Sequence, residues 1–105
     1  MTIVALDEDN NLLGFASLIE HDMETHLDLS PWLAALYVLS EHRRKGIGEV
    51  LAKRIIIEAK KLNIKQIFLF TSIGFKVDFY SKIGWMPIKT VKYKGTDAVI
   101  MKYCC

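Results

Sequence analysis

The sequence predicts an α/β fold built on a mixed β-sheet, and two observations support that prediction. The apolar runs at residues 32–39 and 66–71 flank an amphipathic stretch at residues 46–62, which is the pattern of a βαβ unit with two parallel strands. Near each end of the chain, two strand-like runs are separated by a short polar turn, which is the pattern of an antiparallel hairpin. With 105 residues the chain has room for one core, so we expect a single domain over residues 1–105.

The first hairpin is predicted from residues 3–6 and 12–19, which are both rich in strand-forming residues. A cluster of Asp, Glu and Asn at residues 7–11 separates the two runs and is typical of a turn. Residues 21–28 are polar and irregular, so we expect a loop there. The central strand at residues 32–39 follows that loop.

The long helix is predicted over residues 46–62, because its apolar residues fall close to one face and Asn63 provides an ending. That face comprises Ile47, Val50, Leu51, Ile55, Ala59 and Leu62. The following run at residues 66–71 is apolar and rich in β-formers, which indicates a fully buried strand.

The remaining elements are predicted from glycine positions and strand-like runs. A second helix is expected over residues 75–83, ended by Gly84. Residues 86–93 and 98–103 are then expected to close the chain as an antiparallel hairpin around a turn at residues 94–97.

Composition and charge exclude several classes of function. The formal net charge is only +2 and the basic residues are dispersed, so a nucleic-acid partner is not expected. No apolar run approaches the roughly 20 residues that span a bilayer, and the polar stretch Asp-Glu-Asp-Asn at residues 7–10 interrupts any signal peptide, so we expect a cytoplasmic protein with no membrane partner. Cys104 and Cys105 are adjacent and give no disulfide framework, and no metal site is expected.

The most informative stretch is a basic turn between the central strand and the long helix, Arg43-Arg44-Lys45-Gly46-Ile47-Gly48. The first N–H groups of a helix have no partner inside the helix, and the helix dipole places partial positive charge there. Gly46 and Gly48 have no Cβ, so a phosphate can approach the main chain closely, and the three cations attract it. The sequence therefore predicts an anion site, and the expected ligand is a pyrophosphate.

A second motif follows the basic turn after one helix, one strand and one loop: Phe79-Tyr80-Ser81-Lys82-Ile83-Gly84-Trp85. The string Arg43-x-x-Gly46-x-Gly48 is similar to the acetyl-CoA pyrophosphate loop of the GNAT superfamily of N-acetyltransferases, and the second motif resembles that family's aromatic-Tyr-x-Lys-x-Gly-aromatic string. The resemblance covers about residues 2–103. It implies a GNAT-like acyl-CoA N-acyltransferase fold, with a central mixed sheet, one βαβ unit and a C-terminal antiparallel hairpin.

The resemblance also implies a site for acetyl-CoA as cosubstrate. In that site the pantetheine arm would pair with the strand residues Leu36, Tyr37 and Val38. Thr71 would border the cofactor where the two parallel strands splay apart. The turn that holds the pyrophosphate would consist of Arg43, Arg44, Lys45, Gly46, Ile47 and Gly48. Trp32 is expected near the acceptor cleft, where it would contact the substrate.

The implied reaction transfers an acetyl group to a primary amine of a small molecule or peptide. Tyr80 would act as general acid towards the leaving thiolate, because a phenol with an ordinary pKa of about 10 is protonated at neutral pH. The general base stays open among six candidates: Glu20, His21, Asp22, Glu24, His26 and Glu41.

One departure from the family keeps a second function open. Members of the family usually begin with a strand and two helices that wall the acceptor side, and this sequence opens directly at what resembles their second strand. A non-catalytic acyl-CoA-binding or regulatory module is therefore the alternative to an active enzyme. The departure would also leave residues 2–6 as an exposed sheet edge, so a homodimer is expected.

Overall fold

The computed structural model describes residues 1–105 as six strands and two α-helices around one sheet. The elements in chain order are β1 (Thr2–Leu6), β2 (Leu12–Ile19), β3 (Trp32–Val38), a 3₁₀ turn (Ser40–His42), α1 (Ile47–Lys61), β4 (Gln66–Ser72), α2 (Phe75–Lys82), β5 (Met86–Tyr93) and β6 (Thr96–Cys104). The α/β class, both helices and both hairpins are confirmed.

The last turn is shorter than predicted. The sequence pattern indicates a turn at residues 94–97, but β5 and β6 pair as far as Tyr93 and Thr96, which leaves a two-residue turn. Lys94 and Gly95 both have positive φ, 52° and 80°, as a tight hairpin turn that follows the twist of its strands requires. Asp97 therefore belongs to β6, where it pairs with Lys92.

The sheet has the strand order β1-β2-β3-β4-β6-β5. Only β3 and β4 are parallel neighbours, which confirms the βαβ unit through α1. Their pairing is limited to Trp32 opposite Phe68 near the start of β3, and beyond that point the two strands diverge. The antiparallel ladder between β4 and β6, in contrast, runs from Gln66 to Ser72 without interruption. The sheet is therefore open between β3 and β4, as the family resemblance implied.

The two faces of the sheet are covered differently. The helices cover one face, and the larger core cluster lies between them and the strands: Ala16, Leu18, Leu33, Leu51, Ile55, Ile56, Ala59, Ile67, Leu69, Trp85, Val99 and Met101. On the other face, Met23 from the loop after β2 is fully buried against Trp32, Phe68 and Ile100. This loop covers the β4 half of the face, whereas the β1 half carries no helix or loop cluster.

The strand β1 forms one edge of the sheet. Val4 and Leu6 are about half exposed on its uncovered face, while the hydroxyls of Thr2 and Ser17 form a hydrogen bond of 2.8 Å. Neither helix is long and apolar enough to cross a membrane.

Candidate active site

The opening between β3 and β4 exposes backbone groups of β3. The Leu39 N–H donates to the Leu13 carbonyl on β2 at 2.9 Å. Because successive strand residues direct their N–H and C=O groups to opposite sides, the groups of Leu36 and Val38 face the opening, whereas those of Tyr37 face β2. The structure thus brings the main chain of Leu36 and Val38 to the cleft, as predicted, but does not bring that of Tyr37.

The basic turn forms a concave set of N–H donors at the same end of the sheet. Arg44 and Gly46 have positive φ, 66° and 81°, and the N–H groups of residues 44–46 donate to no other backbone group. The first backbone hydrogen bond of this turn into α1 is that of the Val50 N–H to Gly46 O, at 3.1 Å, so the three N–H groups before it are also free. A run of unpaired N–H groups with left-handed residues is an anion-binding geometry.

The three cations of the turn differ in where their side chains lie. Arg43 donates its Nε–H to the Val38 carbonyl at 3.0 Å, and its guanidinium carbon lies 5.5 Å from the centroid of the Tyr37 ring. Arg44 and Lys45 are exposed and form no ion pair. Two of the three cations are thus available to a ligand, whereas the third is bound to β3.

Tyr80 lies in α2 with its ring half-buried against the larger core cluster. The ring packs edge-on against Phe79 and Trp85, with centroid distances of 5.0 and 6.0 Å. Its hydroxyl makes no hydrogen bond within the protein and is not sealed from solvent. Burial raises the pKa of Tyr80 above its ordinary value of 10.0, so the phenol is protonated at neutral pH and free to donate.

Gly48 connects the turn with both the cleft and α2. A Cβ added to Gly48 would lie 3.7 Å from the Val38 side chain and 3.8 Å from that of Phe79, the residue before Tyr80. The fold thereby brings the predicted cofactor strand and the predicted pyrophosphate turn next to Phe79, the residue before the predicted general acid.

Thr71 is half-buried at the carboxyl end of β4, on the other side of the opening. A cavity of about 330 Å³ lies at this end of the sheet, between the last residues of β4, the first turn of α2 and the β5–β6 hairpin. Its lining residues are Phe70, Thr71, Ser72, Lys76, Tyr93, Thr96, Asp97 and Ala98.

The sequence profile of the acetyltransferase (GNAT) domain matches residues 1–87. The chain belongs to the GNAT acetyltransferases. The resemblance drawn from the two motifs is confirmed.

Solved GNAT structures share this fold at low sequence identity. Ribosomal-protein-alanine N-acetyltransferase from Brucella melitensis matches 99% of this chain at 22% identity, with a TM-score of 0.83. A GNAT family acetyltransferase from Elizabethkingia anophelis with acetyl-CoA bound matches 94% at 18% identity and a TM-score of 0.75, and PaiA N-acetyltransferase from Thermoplasma acidophilum in complex with coenzyme A matches 100% at 26% identity and 0.74.

The matches cover only part of those proteins. This chain spans 68%, 72% and 60% of their respective lengths. No curated protein matches the chain.

The GNAT-based expectation for Trp32 is not supported by its position. Its side chain is fully buried, its indole N–H donates to the Leu29 carbonyl at 2.8 Å, and its ring packs against Phe68 and Phe70. A ring with no accessible surface cannot contact an acceptor, so the prediction of substrate contact is corrected to a packing role. The ring is inside because it lies in the cluster on the helix-free face of the sheet, with Met23, Phe68 and Ile100.

Two of the candidate bases have distinct environments in this GNAT chain. Glu24 accepts a hydrogen bond of 2.6 Å from the Tyr93 hydroxyl, which holds the pKa of Glu24 below its ordinary value. Burial instead raises the pKa of Asp22, against the opposing effect of Lys94. Both residues lie on the loop that crosses the helix-free face.

Sequence reasoning missed Gly14 of β2, where the backbone of β3, the predicted cofactor strand, comes very close. A Cβ on Gly14 would lie 2.5 Å from the Tyr37 carbonyl oxygen and 3.2 Å from the Val38 Cα, so no side chain fits there. The available signal was the glycine itself, because glycine inside a strand marks close approach of another backbone.

Proposed function

We propose that this GNAT chain transfers an acetyl group from acetyl-CoA to a primary amine of a small molecule or peptide. The observation that carries the proposal is the open β3–β4 pair with a run of free N–H groups at the same end of the sheet. The opening accepts an extended arm that pairs with Leu36 and Val38, and the turn at residues 43–48 accepts the pyrophosphate.

In the proposed reaction the neutral amine attacks the thioester carbonyl carbon, and the carbonyl electron pair moves to oxygen. A backbone N–H of β3 that faces the opening supports stabilisation of that oxyanion. When the tetrahedral intermediate collapses, the carbon–sulfur bond breaks and the sulfur takes the Tyr80 proton. The proton lost by the attacking nitrogen returns to the Tyr80 oxygen through solvent, so the products are the amide and coenzyme A as a free thiol.

The proposal is tested by thiol release from acetyl-CoA in the presence of a panel of primary amines, with each product checked by mass spectrometry. Release that depends on one class of amine, together with a mass increase of one acetyl group on that amine, is the expected result. Thiol release that is the same with and without every amine would contradict the transferase assignment.

Cofactor binding is tested separately by replacing Gly48 with valine. The valine methyl groups would extend into the narrow space between Val38 and Phe79, where the cofactor arm meets the turn. We expect coenzyme A affinity to fall at least tenfold, roughly 1.4 kcal/mol, in isothermal titration calorimetry. The parent's affinity should also fall as salt rises, because exposed Arg44 and Lys45 supply part of the attraction.

Gly48→Ala is the control for folding, because its single Cβ would make only ordinary contacts within the protein, at 3.7 and 3.8 Å. Alanine also favours a helix over glycine, so this variant should be no less stable than the parent. If folded Gly48→Val bound coenzyme A as tightly as the parent, the turn would not be the pyrophosphate site.

A non-catalytic acyl-CoA-binding module is the second candidate. The exposed part of the helix-free face favours it. The loop that carries Met23 covers this face near β4, whereas nothing covers it near β1, so an amine acceptor would be enclosed on one side only. The two candidates differ in one pair of measurements: the module binds coenzyme A in calorimetry and releases no thiol with any amine, whereas the enzyme does both.

We further propose that the chain forms a homodimer through the β1 edge. Val4 is 55% exposed and Leu6 49% exposed, and the outer backbone groups of β1 have no neighbouring strand. Light scattering at high protein concentration should give twice the chain mass of 12.0 kDa. A stable monomer mass at that concentration would contradict the proposal, and charged replacement of Val4 should dissociate a dimer formed at this edge.

A further inference from the structure

We infer that Arg43 is a positioning residue, which fixes the basic turn to β3 rather than binding the pyrophosphate through its charge. The inference rests on the proposed function, since the ligand of the turn is taken to be the pyrophosphate of acetyl-CoA. It assigns the direct electrostatic contacts to Arg44, Lys45 and the free N–H groups.

Two contacts hold the Arg43 side chain against consecutive residues of β3. The Nε–H donates to the Val38 carbonyl at 3.0 Å, and the guanidinium lies 5.5 Å from the Tyr37 ring centroid. The Tyr37 ring in turn packs against Phe15 of β2, with a centroid distance of 5.8 Å. Arg43 thus contacts the last two residues of β3 and, through Tyr37, is connected to β2.

The turn that follows has little else to define its shape. Arg44 has a positive φ of 66°, a left-handed conformation that residues other than glycine rarely adopt. The N–H groups of residues 44–46 donate to no backbone group. The nearest backbone hydrogen bond before them joins the Arg43 N–H to the Ser40 carbonyl at 3.5 Å. This is the longest of the backbone hydrogen bonds in turns, loops and helix ends. The side-chain contacts of Arg43 therefore supply the main link between this turn and β3.

The attachment also restricts how a cofactor arm can pair with β3. The Val38 carbonyl faces the opening and accepts the Arg43 Nε–H, which leaves it one lone pair for a further donor. The other groups that face the opening are the N–H and C=O of Leu36 and the N–H of Val38. Arg43 therefore also marks the end of the pairing, at the point where the arm gives way to the pyrophosphate.

A pair of variants separates geometry from charge. Arg43→Gln places an amide donor at the same number of bonds from the backbone as Nε and removes the charge, whereas Arg43→Lys keeps the charge and lacks the Nε–H. We expect coenzyme A affinity to depend on the hydrogen-bond donor at this position and not on its charge. Arg43→Gln should therefore lower the affinity by about threefold or less, and Arg43→Lys by about tenfold, 1.4 kcal/mol.

Arg44→Gln is the matched control, because Arg44 is equally cationic and exposed but has no contact with β3. The logarithm of affinity is measured against the logarithm of salt concentration for each variant. Arg44→Gln should flatten that dependence more than Arg43→Gln does. If Arg43→Lys matched the parent while Arg43→Gln bound weakly and flattened the salt dependence as much as Arg44→Gln, Arg43 would be a phosphate ligand and the inference wrong.

A measurement on the free protein tests the contact without any cofactor. The ¹⁵N–¹H signal of the Arg43 Nε should be resolved from those of Arg44 and Arg54, exchange slowly with water, and move when Tyr37 is replaced by leucine. A rapidly exchanging signal at the position of a solvated arginine, unaffected by Tyr37→Leu, would overturn the inference. A parent that fails to bind coenzyme A would instead contradict the proposed function, and this measurement would still decide whether the Arg43 contact exists.

Discussion

Tyr80→Phe is expected to lower kcat by about 10²–10⁴-fold, with the affinity for coenzyme A within about twofold of the parent. The substitution removes one hydroxyl and almost no volume, so the edge-on contacts of the ring with Phe79 and Trp85 are retained. What is lost is the proton for the leaving thiolate, a group that matters only once the carbon–sulfur bond begins to break. The split between an unchanged affinity and a reduced kcat is therefore the signature of this role.

The electrostatics of Tyr80 support the same expectation. Burial raises the pKa of the hydroxyl, so the phenol is not ionised at neutral pH, and no protein acceptor competes for its proton. Folding therefore keeps this side chain in the form that a general acid needs.

Tyr103→Phe is the matched control for the loss of a hydroxyl. The Tyr103 ring also packs against Trp85, at a centroid distance of 5.7 Å, but the residue lies near the end of β6, away from the cleft. Both variants are compared with the parent in steady-state turnover of an identified amine and in calorimetry with coenzyme A. Turnover of Tyr80→Phe within about twofold of the parent, with chemistry rate-limiting, would show that the thiolate is protonated by another group.

Gly14→Ala is expected to destabilise the protein by about 1–3 kcal/mol, because the new methyl group has no space. Its Cβ would lie 2.5 Å from the Tyr37 carbonyl oxygen and 3.3 Å from a methyl of Leu51. The first neighbour is backbone, so relief requires β2 and β3 to separate rather than a side chain to rotate. Since β3 is the proposed cofactor strand, weaker coenzyme A binding should accompany the lost stability.

Thermal unfolding followed by circular dichroism checks this expectation. In a domain of about 100 residues each kcal/mol lowers Tm by roughly 4–8 °C, so the effect is easily resolved. Gly48→Ala adds the same methyl group where the nearest atoms are 3.7 Å away, and it should leave Tm unchanged or higher. Equal melting temperatures for Gly14→Ala and the parent would mean that the close approach of the two strands is not required.

Most of the secondary structure could be predicted because the hydrophobic periods are clear. The helix predicted over 46–62 is α1, and the apolar run at 66–71 is β4. The predicted last turn is too long, since turn-forming residues at 94–97 do not reveal which two of them take positive φ. The place of β6 between β4 and β5 could not be predicted, because hairpin patterns do not say which strand lies on the inside.

The candidate site could be predicted less evenly. Backbone features of the basic turn follow from glycine and helix-start patterns, and the structure has them. The sequence does not show where the Arg43 side chain points, because a cation beside an anion site can equally well donate to the nearest strand carbonyl, as Arg43 does to Val38. The family resemblance assigns Trp32 to the cleft, although an indole in an apolar strand start gains more from burial.

The single pairing of Trp32 with Phe68 has a mechanical consequence for the whole molecule. The sheet consists of two halves, one with β1, β2 and β3 and the other with β4, β6 and β5, and strand pairing within each half is far more extensive than between them. At the mouth of the opening no strand pairing joins the two halves, whereas at the closed end the Trp32 ring lies 5.9 Å from the Phe68 ring. We therefore expect an extended molecule in the opening to form hydrogen bonds with the exposed edge of β3 and to make the sheet more rigid there.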